Sequence, residues 1–467
     1  MSVLRRRQFL GASTAALALA AMGGVALAAP SSARGGRKPN FIVILCDDLG
    51  FGDIEANGGT SIRTPNLNRL AREGTTLTDY YAPANRCTPS RAGLLTGRYP
   101  IRTGLGYQVI MAKGDTRVLP TSEVTIATAL KPAGYVSGLF GKWHLGHTGP
   151  DWSPIRHGFD AFFGIPYSHD MQPLELFADD GSGVKPLGIP VEQARLQQQF
   201  YDAADRFITA NAARPFFVEL ALSAPHLPNY PDARFGGTSK AGAYGDVVAE
   251  IDALVGRLLA KLDKLGIADD TLLIFTSDNG PWYEGSAGDL RDRKGGAGYD
   301  GGYRVPFIAR QPGTVRANKR VDSIAMGIDL LPTFCAMAGA PLPEGVTLDG
   351  ADIGRLLTAG GPSPHDQLLL FDNEDLVGVR TQRWKYVAAE YYRSVLLPLE
   401  KMGSPQLYDV AGDARENYSV ASLHPDVLAD MQARLKAARA TFGPMKAKSI
   451  PPVYRALYEA MMKPAQP

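Results

Sequence analysis

Two pairs of polar side chains directly follow apolar runs of the sequence. Asp47 and Asp48 come after the run FIVILC, and Asp278 and Asn279 come after TLLIFTS. Brought together, these acids would repel one another unless a cation lay between them. Oxygen ligands alone favour a hard ion, calcium or magnesium, over zinc. One Asp-Asp pair is also typical of a turn or a helix cap, but two such pairs after two apolar runs favour a metal site.

Cys87 lies in the polar segment NRCTPSRAGLLTGR, unlike the two other cysteines. Cys46 ends an apolar run and Cys335 lies in PTFCAM, so both are predicted to be small buried hydrophobic residues. Pro89 suits the first turn of a helix and Gly97 suits its end. Cys87 is therefore predicted at a helix N-terminus, where negative charge is favoured. The residues alone leave open an activated thiol, a modified thiol or an ordinary buried cysteine.

The elements that must position these residues are predicted from the alternation of short apolar runs with helical spacing. The two runs above are predicted strands, as are Tyr135–Phe140 and Phe216–Leu222, with helices over Phe200–Ala212 and Tyr244–Leu265. This alternation predicts an α/β fold with a large mixed, mostly parallel sheet flanked by helices.

Polar residues also follow the two further strands. Lys142 and His144 follow the Tyr135 strand, and His226 follows the Phe216 strand after a short bend. The carboxyl ends of strands in an open α/β sheet form the ligand crevice. We therefore expect four strands to deliver polar groups to one edge of the sheet. From about residue 366, short runs predict a smaller antiparallel sheet, covered by a helix near Pro425–Ala440.

The N-terminus has the three parts of an export signal. Three arginines at positions 5–7 precede a weakly apolar run from Ala15 to Ala28 that ends in small residues. The run is too short and too rich in Ala and Gly for a stable membrane anchor. The arginines before Gln8-Phe9-Leu10 resemble a twin-arginine signal of bacterial export. The sequence therefore predicts a signal at 1–28, a linker at 29–38, and a periplasmic or secreted protein.

Composition excludes one large class of function. Hydrophobic content of 45% and charged content of 21% are ordinary for a soluble globular protein. The formal charge of +2 includes the three signal arginines, so the remaining chain carries −1. It has no polybasic run, which argues against a nucleic-acid partner. A chain of 467 residues predicts one large domain with a smaller one.

The segment from Cys87 to Arg98 resembles the signature of the sulfatase family, C-x-P-S-R-x-x-x-L-T-G-R, with every fixed position filled. Further segments resemble the same family: GKWHLG, APH, SDNG, LRDRKG and the later DGGYR. The run FGIPYSHD resembles the arylsulfatase A branch in particular. The similarity covers nearly everything from Pro39 to about Ala421. It implies an alkaline phosphatase-like fold, with a catalytic domain at 39–365 and a small C-terminal subdomain and tail at 366–467.

The resemblance implies a role for each matching residue. Cys87 is oxidised in that family to formylglycine, by a formylglycine-generating enzyme, and the hydrated aldehyde is the nucleophile. Calcium, rather than magnesium, is then bound by Asp47, Asp48, Asp278 and Asn279, with the modified Cys87 completing the shell. Arg91 holds the aldehyde hydrate and His144 contacts its hydroxyl. Sulfate oxygens are bound by Lys142, Lys294 and Ser168, and His226 acts with Lys294 near the leaving oxygen.

The chemistry of a sulfate ester agrees with these roles. The ester is anionic and repels an anionic nucleophile until cations neutralise it. One hydroxyl of the hydrate attacks sulfur, which gives a covalent sulfated enzyme and expels the alcohol. The second hydroxyl then loses its proton, the aldehyde re-forms and sulfate leaves. A serine or cysteine lacks the second hydroxyl, so the modification is required.

One departure from the family concerns the segment after Lys294. Relatives carry Glu-Gly-Gly there, whereas this chain has Asp300 and one extra residue in Gly295–Tyr299. The motif therefore supports the reach of Lys294 into the site less directly than that of Lys142.

Three functions remain open at this stage. The first is hydrolysis of aryl or sugar sulfates, with a small-molecule or glycan sulfate ester as substrate. The second is hydrolysis of phosphodiesters or phosphonate monoesters by the same nucleophile. The third is a non-catalytic anion-binding protein, which requires Cys87 to remain a thiol.

Overall fold

The central strand of the fold is the apolar run predicted around Ile44. A computed structural model describes residues 37–392, 395–447 and 450–456. The predicted signal and most of the predicted linker lie outside these residues. All eight residues of Asn40–Asp47 are buried, as expected for a parallel strand covered on both faces. This strand pairs in parallel with Phe216–Pro225 on one side and Thr271–Ser277 on the other.

The strands of the described residues, in chain order, are β1 Asn40–Asp47, β2 Thr75–Leu77, β3 Tyr80–Tyr81, β4 Val136–Lys142, β5 Ala161–Ile165, β6 Phe177–Asp179, β7 Lys185–Pro186, β8 Phe216–Pro225, β9 Thr271–Ser277, β10 Phe307–Arg310, β11 Lys319–Val321, β12 Ala325–Met326, β13 Leu368–Asp372, β14 Asp375–Arg380, β15 Trp384–Val387, β16 Glu390–Tyr392, β17 Val395–Leu397 and β18 Gln406–Asp409. The helices are α1 Pro65–Arg72, α2 Cys87–Thr96, α3 Ile126–Leu130, α4 Leu196–Asn211, α5 Gly242–Leu265, α6 Asp300–Tyr303, α7 Leu330–Ala338, α8 Gly354–Thr358 and α9 Pro425–Phe442.

Ten strands form one mixed sheet in the order β11-β2-β10-β9-β1-β8-β4-β5-β6-β7. The four strands predicted to deliver the polar residues, β9, β1, β8 and β4, are parallel neighbours at its centre. The apolar side chains of α2, α3 and α7 cover one face, and those of α1, α4 and α5 cover the other. The predicted α/β fold, a large mixed sheet flanked by helices, is therefore confirmed.

The C-terminal region forms a second sheet of four antiparallel strands in the order β13-β14-β15-β18. Helix α9 covers this sheet, as predicted, and begins at Pro425. Its apolar side packs in one cluster with Tyr81, Tyr99 and Tyr303 of the larger part. No helix among the described residues combines the length and apolar character needed to cross a bilayer.

Some element boundaries differ from those predicted. Lys142 is the last residue of β4 rather than a residue after it, because its ammonium group is buried against a carboxylate. Helix α4 begins at Leu196, one turn before the predicted start. The first turn of α4 contains Gln197, which is buried because its amide donates to the Ser223 hydroxyl at 2.9 Å. A pattern of apolar residues alone does not reveal such buried polar ends.

Candidate active site

The carboxyl ends of β1 and β9 bring the two predicted acidic pairs together. The backbone amide of Asp278 donates to the carbonyl of Cys46 at 3.0 Å, so the pairing of the strands continues into the site. Ligand atoms of Asp47, Asp48, Asp278 and Cys87 all lie within 4.8 Å of one another. All four side chains are buried. This is the arrangement predicted for a metal site at one edge of the sheet.

Asn279 adds an oxygen to the same cluster. Its side-chain amide donates to Asp48 Oδ1 and to the carbonyl of Gly280, both at 2.8 Å. Its Oδ1 is buried and has no hydrogen-bond partner within the described part of the chain. A buried oxygen with a free acceptor is costly unless a donor or cation meets it. The donor set of three carboxylates and one amide oxygen therefore fits a hard divalent cation.

Each of the three carboxylates also has a cationic partner. Lys142 Nζ lies 2.5 Å from Asp47, Lys294 Nζ lies 2.7 Å from Asp48, and Arg91 Nε lies 2.8 Å from Asp278. Arg91 also donates from Nη1 to the carbonyl of Lys142 at 2.9 Å. Its Nη2 makes no hydrogen bond within the described residues and lies 3.8 Å from Asp47 Oδ1. The cluster thus combines a dense set of acids with an equal number of cations.

The two central acids differ in proton affinity. Burial opposes ionisation of Asp47, but Lys142, His226 and Arg91 together hold its pKa well below the usual value. Burial raises the pKa of Asp278 to about 6, with Arg91 opposing the rise. The difference follows from the basic side chains around each acid, because more of them lower the pKa of Asp47 than of Asp278.

Cys87 is the first residue of α2 and lies beside both the acids and a lysine. Its Sγ is 3.4 Å from Asp47 Oδ1 and 3.4 Å from Lys294 Nζ. The chain reaches it in an extended conformation at Arg86, and the helix ends at Gly97, whose φ of 68° suits glycine. Burial, with a contribution from Asp47, raises the pKa of the Cys87 thiol above its ordinary value. Burial therefore opposes the thiolate that the helix N-terminus and the nearby lysines would favour.

The other predicted site residues fall into two groups. His144, Ser168, His226 and Lys294 line the cavity above Cys87, whereas Lys142 is fully buried behind Asp47. The hydroxyl of Ser168 has no partner within the described residues, which leaves it available to a ligand. His226 Nε2 lies 3.6 Å from Asp48.

The tautomer of His144 follows from its contacts. Its Nε2 lies 2.9 Å from the carbonyl of Ile110, so this nitrogen carries the proton. Burial, with Lys142 nearby, lowers the pKa of His144 well below its usual value. The neutral ring leaves Nδ1 as an acceptor, and this atom has no partner in the part of the chain that the structure describes.

The cavity above Cys87 has a volume of about 1120 Å³ and includes residues that were not predicted as site residues. Arg86, Trp282, Tyr283 and Arg293 all line it. The only signals for them in the sequence are their positions beside Cys87, just after Asn279 and just before Lys294. Tyr391 lies on the wall as well.

The segment after Lys294, where the sequence departs from its family, is held by the C-terminal sheet. Asp300 is fully buried and accepts from Lys385 Nζ at 2.6 Å and from the Tyr81 hydroxyl at 2.9 Å. The backbone amide of Asp300 donates to Glu416 at 2.9 Å. With this anchor, Lys294 reaches both Asp48 and Cys87 despite the extra residue. Lys385 belongs to β15 of the small sheet.

All three cysteines are buried and unpaired. Cys46 packs with apolar side chains on one face of the large sheet and Cys335 packs on the other, so they form no disulfide. This confirms both as small buried hydrophobic residues and leaves Cys87 as the one cysteine among site residues.

Comparison with known proteins agrees with the geometry. Residues 39–340 match the Sulfatase family. Arylsulfatase A of Homo sapiens is 37% identical over 87% of this chain and 90% of its own length. N-acetylgalactosamine-6-sulfatase of Mus musculus is 37% identical over 72% of this chain and 68% of its own. The crystal structure of PsFucS1 sulfatase from Pseudoalteromonas sp. superposes with a TM-score of 0.82 at 28% identity, covering 89% of this chain and 93% of that one. The chain therefore belongs to the sulfatase family and is a sulfuric ester hydrolase.

Proposed function

We propose that this enzyme hydrolyses aryl or sugar sulfates to the alcohol and inorganic sulfate with a formylglycine made from Cys87. The observation that carries this proposal is the position of the Cys87 sulfur. It lies at a cavity wall, 3.4 Å from Lys294 Nζ and 3.4 Å from Asp47. A nucleophile at this atom would have a cation beside it for the sulfate and an acidic cluster behind it.

A hydrate at position 87 would act through a covalent sulfated enzyme. Lys294, His226 and Ser168 line the cavity and would bind the anionic group and the leaving oxygen. Arg91 lies behind the nucleophile, where its Nη2, which makes no hydrogen bond within the described residues, could hold one oxygen of the hydrate. The unprotonated Nδ1 of His144 would accept a hydroxyl proton, because its other nitrogen donates to Ile110.

We infer that the acidic cluster binds calcium. Asp47, Asp48, Asp278 and Asn279 would hold it, with an oxygen at position 87. Calcium takes 6–8 oxygen ligands in flexible geometry, whereas magnesium usually keeps several waters. A dense, buried protein donor set therefore favours calcium. When bound, the ion would lower the negative charge around the nucleophile.

Two alternative functions use the same residues. A phosphodiester or phosphonate monoester also carries anionic oxygens that Lys294 and His226 could bind, so these residues alone do not separate it from a sulfate ester. A non-catalytic anion-binding protein would need only the cations. Comparing kcat/KM for sulfate esters with kcat/KM for phosphodiesters separates both alternatives from the proposed sulfate ester hydrolysis.

The proposal is tested by the mass of the peptide containing Cys87, in protein produced in a host with a formylglycine-generating enzyme. We expect this peptide to be lighter, because oxygen replaces sulfur and two hydrogens are lost, and to react with a hydrazide. The variant Cys87→Ala should fold but hydrolyse no sulfate ester, whereas Cys335→Ala serves as the matched control. An unmodified thiol in active enzyme would refute the proposal.

Residues 1–28 are proposed to direct export by the twin-arginine machinery to the periplasm or beyond, with 29–38 as a linker, 39–365 as the catalytic domain and 366–467 as the C-terminal subdomain. The small sheet begins at Leu368, close to the proposed boundary. Replacing Arg6 and Arg7 with Lys should retain the enzyme in the cytoplasm, as measured by fractionation. Unchanged export of that variant would refute the route.

A further inference from the structure

The cavity above Cys87 is larger than a sulfate group needs. Its volume is about 1120 Å³, whereas pockets for drug-sized ligands span roughly 300–1,000 Å³. The sulfate would lie beside Cys87, Lys294 and His226. The rest of the cavity therefore surrounds the alcohol part of the ester.

Two exposed aromatic side chains lie on the wall of that outer part. The exposed fraction is 42% for Trp282 and 73% for Tyr283. Their rings pack edge to face with centroids 4.8 Å apart. Large exposed aromatic groups in contact with one another are typical of a binding surface rather than of a core.

The aromatic pair is fixed relative to the catalytic centre. It follows Asn279 after two residues, and the Pro281 carbonyl between them accepts from the backbone amide of Lys294 at 3.0 Å. Arg293 Nη1 donates to the Trp282 carbonyl at 3.0 Å. The predicted metal ligand, the predicted sulfate ligand and the aromatic pair thus belong to one hydrogen-bonded unit.

Arg293 adds a positive charge to the same wall. Its Nη1 is held by two backbone carbonyls, those of Trp282 and Gly285, rather than by a carboxylate. Its Nη2 makes no hydrogen bond within the residues that the structure describes, and the guanidinium lies 6.0 Å from the centre of the Tyr283 ring. A guanidinium fixed by carbonyls and open to a cavity is suited to bind an anion.

We propose that Trp282, Tyr283 and Arg293 form a leaving-group subsite for a ring that carries a second anionic group. The face of the ring packs on the aromatic pair, and the second anion pairs with Nη2 of Arg293. This inference rests on the proposed function, since the ring is the alcohol of the sulfate ester. The ring comes either from a sugar or from an aromatic alcohol.

Two matched pairs of substrates test the subsite. N-acetylglucosamine 6-sulfate is compared with glucosamine 2-N,6-O-disulfate, and 4-nitrophenyl sulfate with 4-carboxyphenyl sulfate. For each pair, kcat/KM for the dianionic substrate is divided by kcat/KM for the monoanionic one. In Arg293→Met we expect this ratio to fall about tenfold in at least one pair. The pair that responds identifies the ring. Arg293→Lys, which keeps the charge, should retain part of the ratio, and Arg355→Met is an exposed control outside the cavity.

The role of the aromatic pair is tested by comparing the effects of substitutions on KM and on kcat. Trp282→Ala should raise KM about tenfold for both substrates of the responding pair. Its effect on kcat, and on hydrolysis of ethyl sulfate, which has no ring, should be smaller. Trp282→Phe should largely restore KM, and Tyr418→Ala is the exposed control. Equal effects of all variants on every substrate would overturn the subsite. If wild-type enzyme hydrolyses none of the sulfates, the proposed function itself fails.

Discussion

Lys142 and Lys294 each pair with one acid of the same cluster, but their surroundings differ. Both the amino group of Lys142 and its partner Asp47 have no exposed surface. The side chain of Lys294 keeps 13% of its surface exposed and lies on the cavity wall. Only the second is placed to bind a substrate directly in this structure.

We therefore expect the two lysines to be separable by substitution. Lys294→Met should lower kcat/KM for 4-nitrophenyl sulfate by about 100-fold or more, since a cation that stabilises the transition state is lost. Lys142→Met should also lower the free energy of unfolding by about 3–5 kcal/mol, because Asp47 is left buried without its partner.

Urea unfolding and steady-state kinetics on both variants check this, with the exposed Lys131→Met as control. The interpretation is wrong if Lys294→Met is destabilised as strongly as Lys142→Met, or if Lys142→Met unfolds like wild type.

At the scale of single residues, the sequence predicted which side chains lie together. Every residue assigned from the family motifs lies in or against one cluster, because the motif residues at the strand ends are fixed by the sheet. The residues of the outer cavity could not be predicted. Trp282, Tyr283 and Arg293 belong to loops, where apolar or charged types have no periodic pattern to indicate which way they face.

Strand β8 contains an acid that takes part in no step of the proposed chemistry. Glu219 is 2% exposed and lies between Val43 of β1 and Leu139 of β4 in the register of the sheet. Its Oε2 has no hydrogen-bond partner among the described residues. Burial raises the pKa of Glu219 to about 7, and Arg91 opposes the rise.

This acid should make stability depend on pH. A carboxyl whose pKa is raised in the folded state stabilises the fold fully below its unfolded pKa, near 4.5, and loses that contribution as the pH rises through about 7. We expect Glu219→Gln to unfold at a higher urea concentration than wild type at pH 8. The fall in stability between pH 5 and 8 should shrink by up to about 3 kcal/mol.

The exposed Glu344→Gln should leave the pH profile unchanged. If Glu219→Gln and wild type lose the same stability between pH 5 and 8, the carboxyl is already ionised in the folded protein at pH 5.

The strands were predictable because four continuous apolar runs lie at the centre of a sheet covered on both faces. The ends of the strands and helices were less predictable. Lys142 lies within β4 and Gln197 within α4, and both are polar residues whose burial depends on partners far along the chain. Glu219, in the middle of an apolar run, likewise shows that the interior of the sheet is not wholly apolar.

At the scale of the whole molecule, the small sheet is joined to the active-site loop by a buried ionic cluster. Lys385 contacts Asp300 at 2.6 Å and Glu416 at 2.9 Å, and all three side chains are buried. Asp372 of β13 similarly pairs with Arg86, beside the nucleophile. The C-terminal region therefore helps to position Cys87 and Lys294. These pairs join residues too far apart in sequence for any local pattern to indicate them.

Metal binding should stabilise the molecule as a whole. A ligand present at 100 times its dissociation constant stabilises the folded state by about 2.7 kcal/mol. We expect chelation with EGTA to lower the unfolding temperature and abolish activity, and calcium to restore both better than magnesium. Because each carboxylate also has a cationic partner, the protein should remain folded.

Calorimetry with and without EGTA measures this effect. Asp278→Asn should lose most of the calcium-dependent shift, whereas the exposed Asp322→Asn should keep it. Full restoration by magnesium alone would reassign the ion, and no response to EGTA or EDTA would remove the metal from the proposal.

All ten residues of α2 are buried, and Cys87 keeps only 1% of its surface exposed. Under the proposed chemistry, an enzyme that oxidises this cysteine needs to reach it before the helix packs into the core. A molecule that folds first keeps its thiol permanently. Modification and folding therefore compete during synthesis, and export of the folded chain would place that competition in the cytoplasm. Whether modification precedes folding would then determine which fraction of a preparation is active.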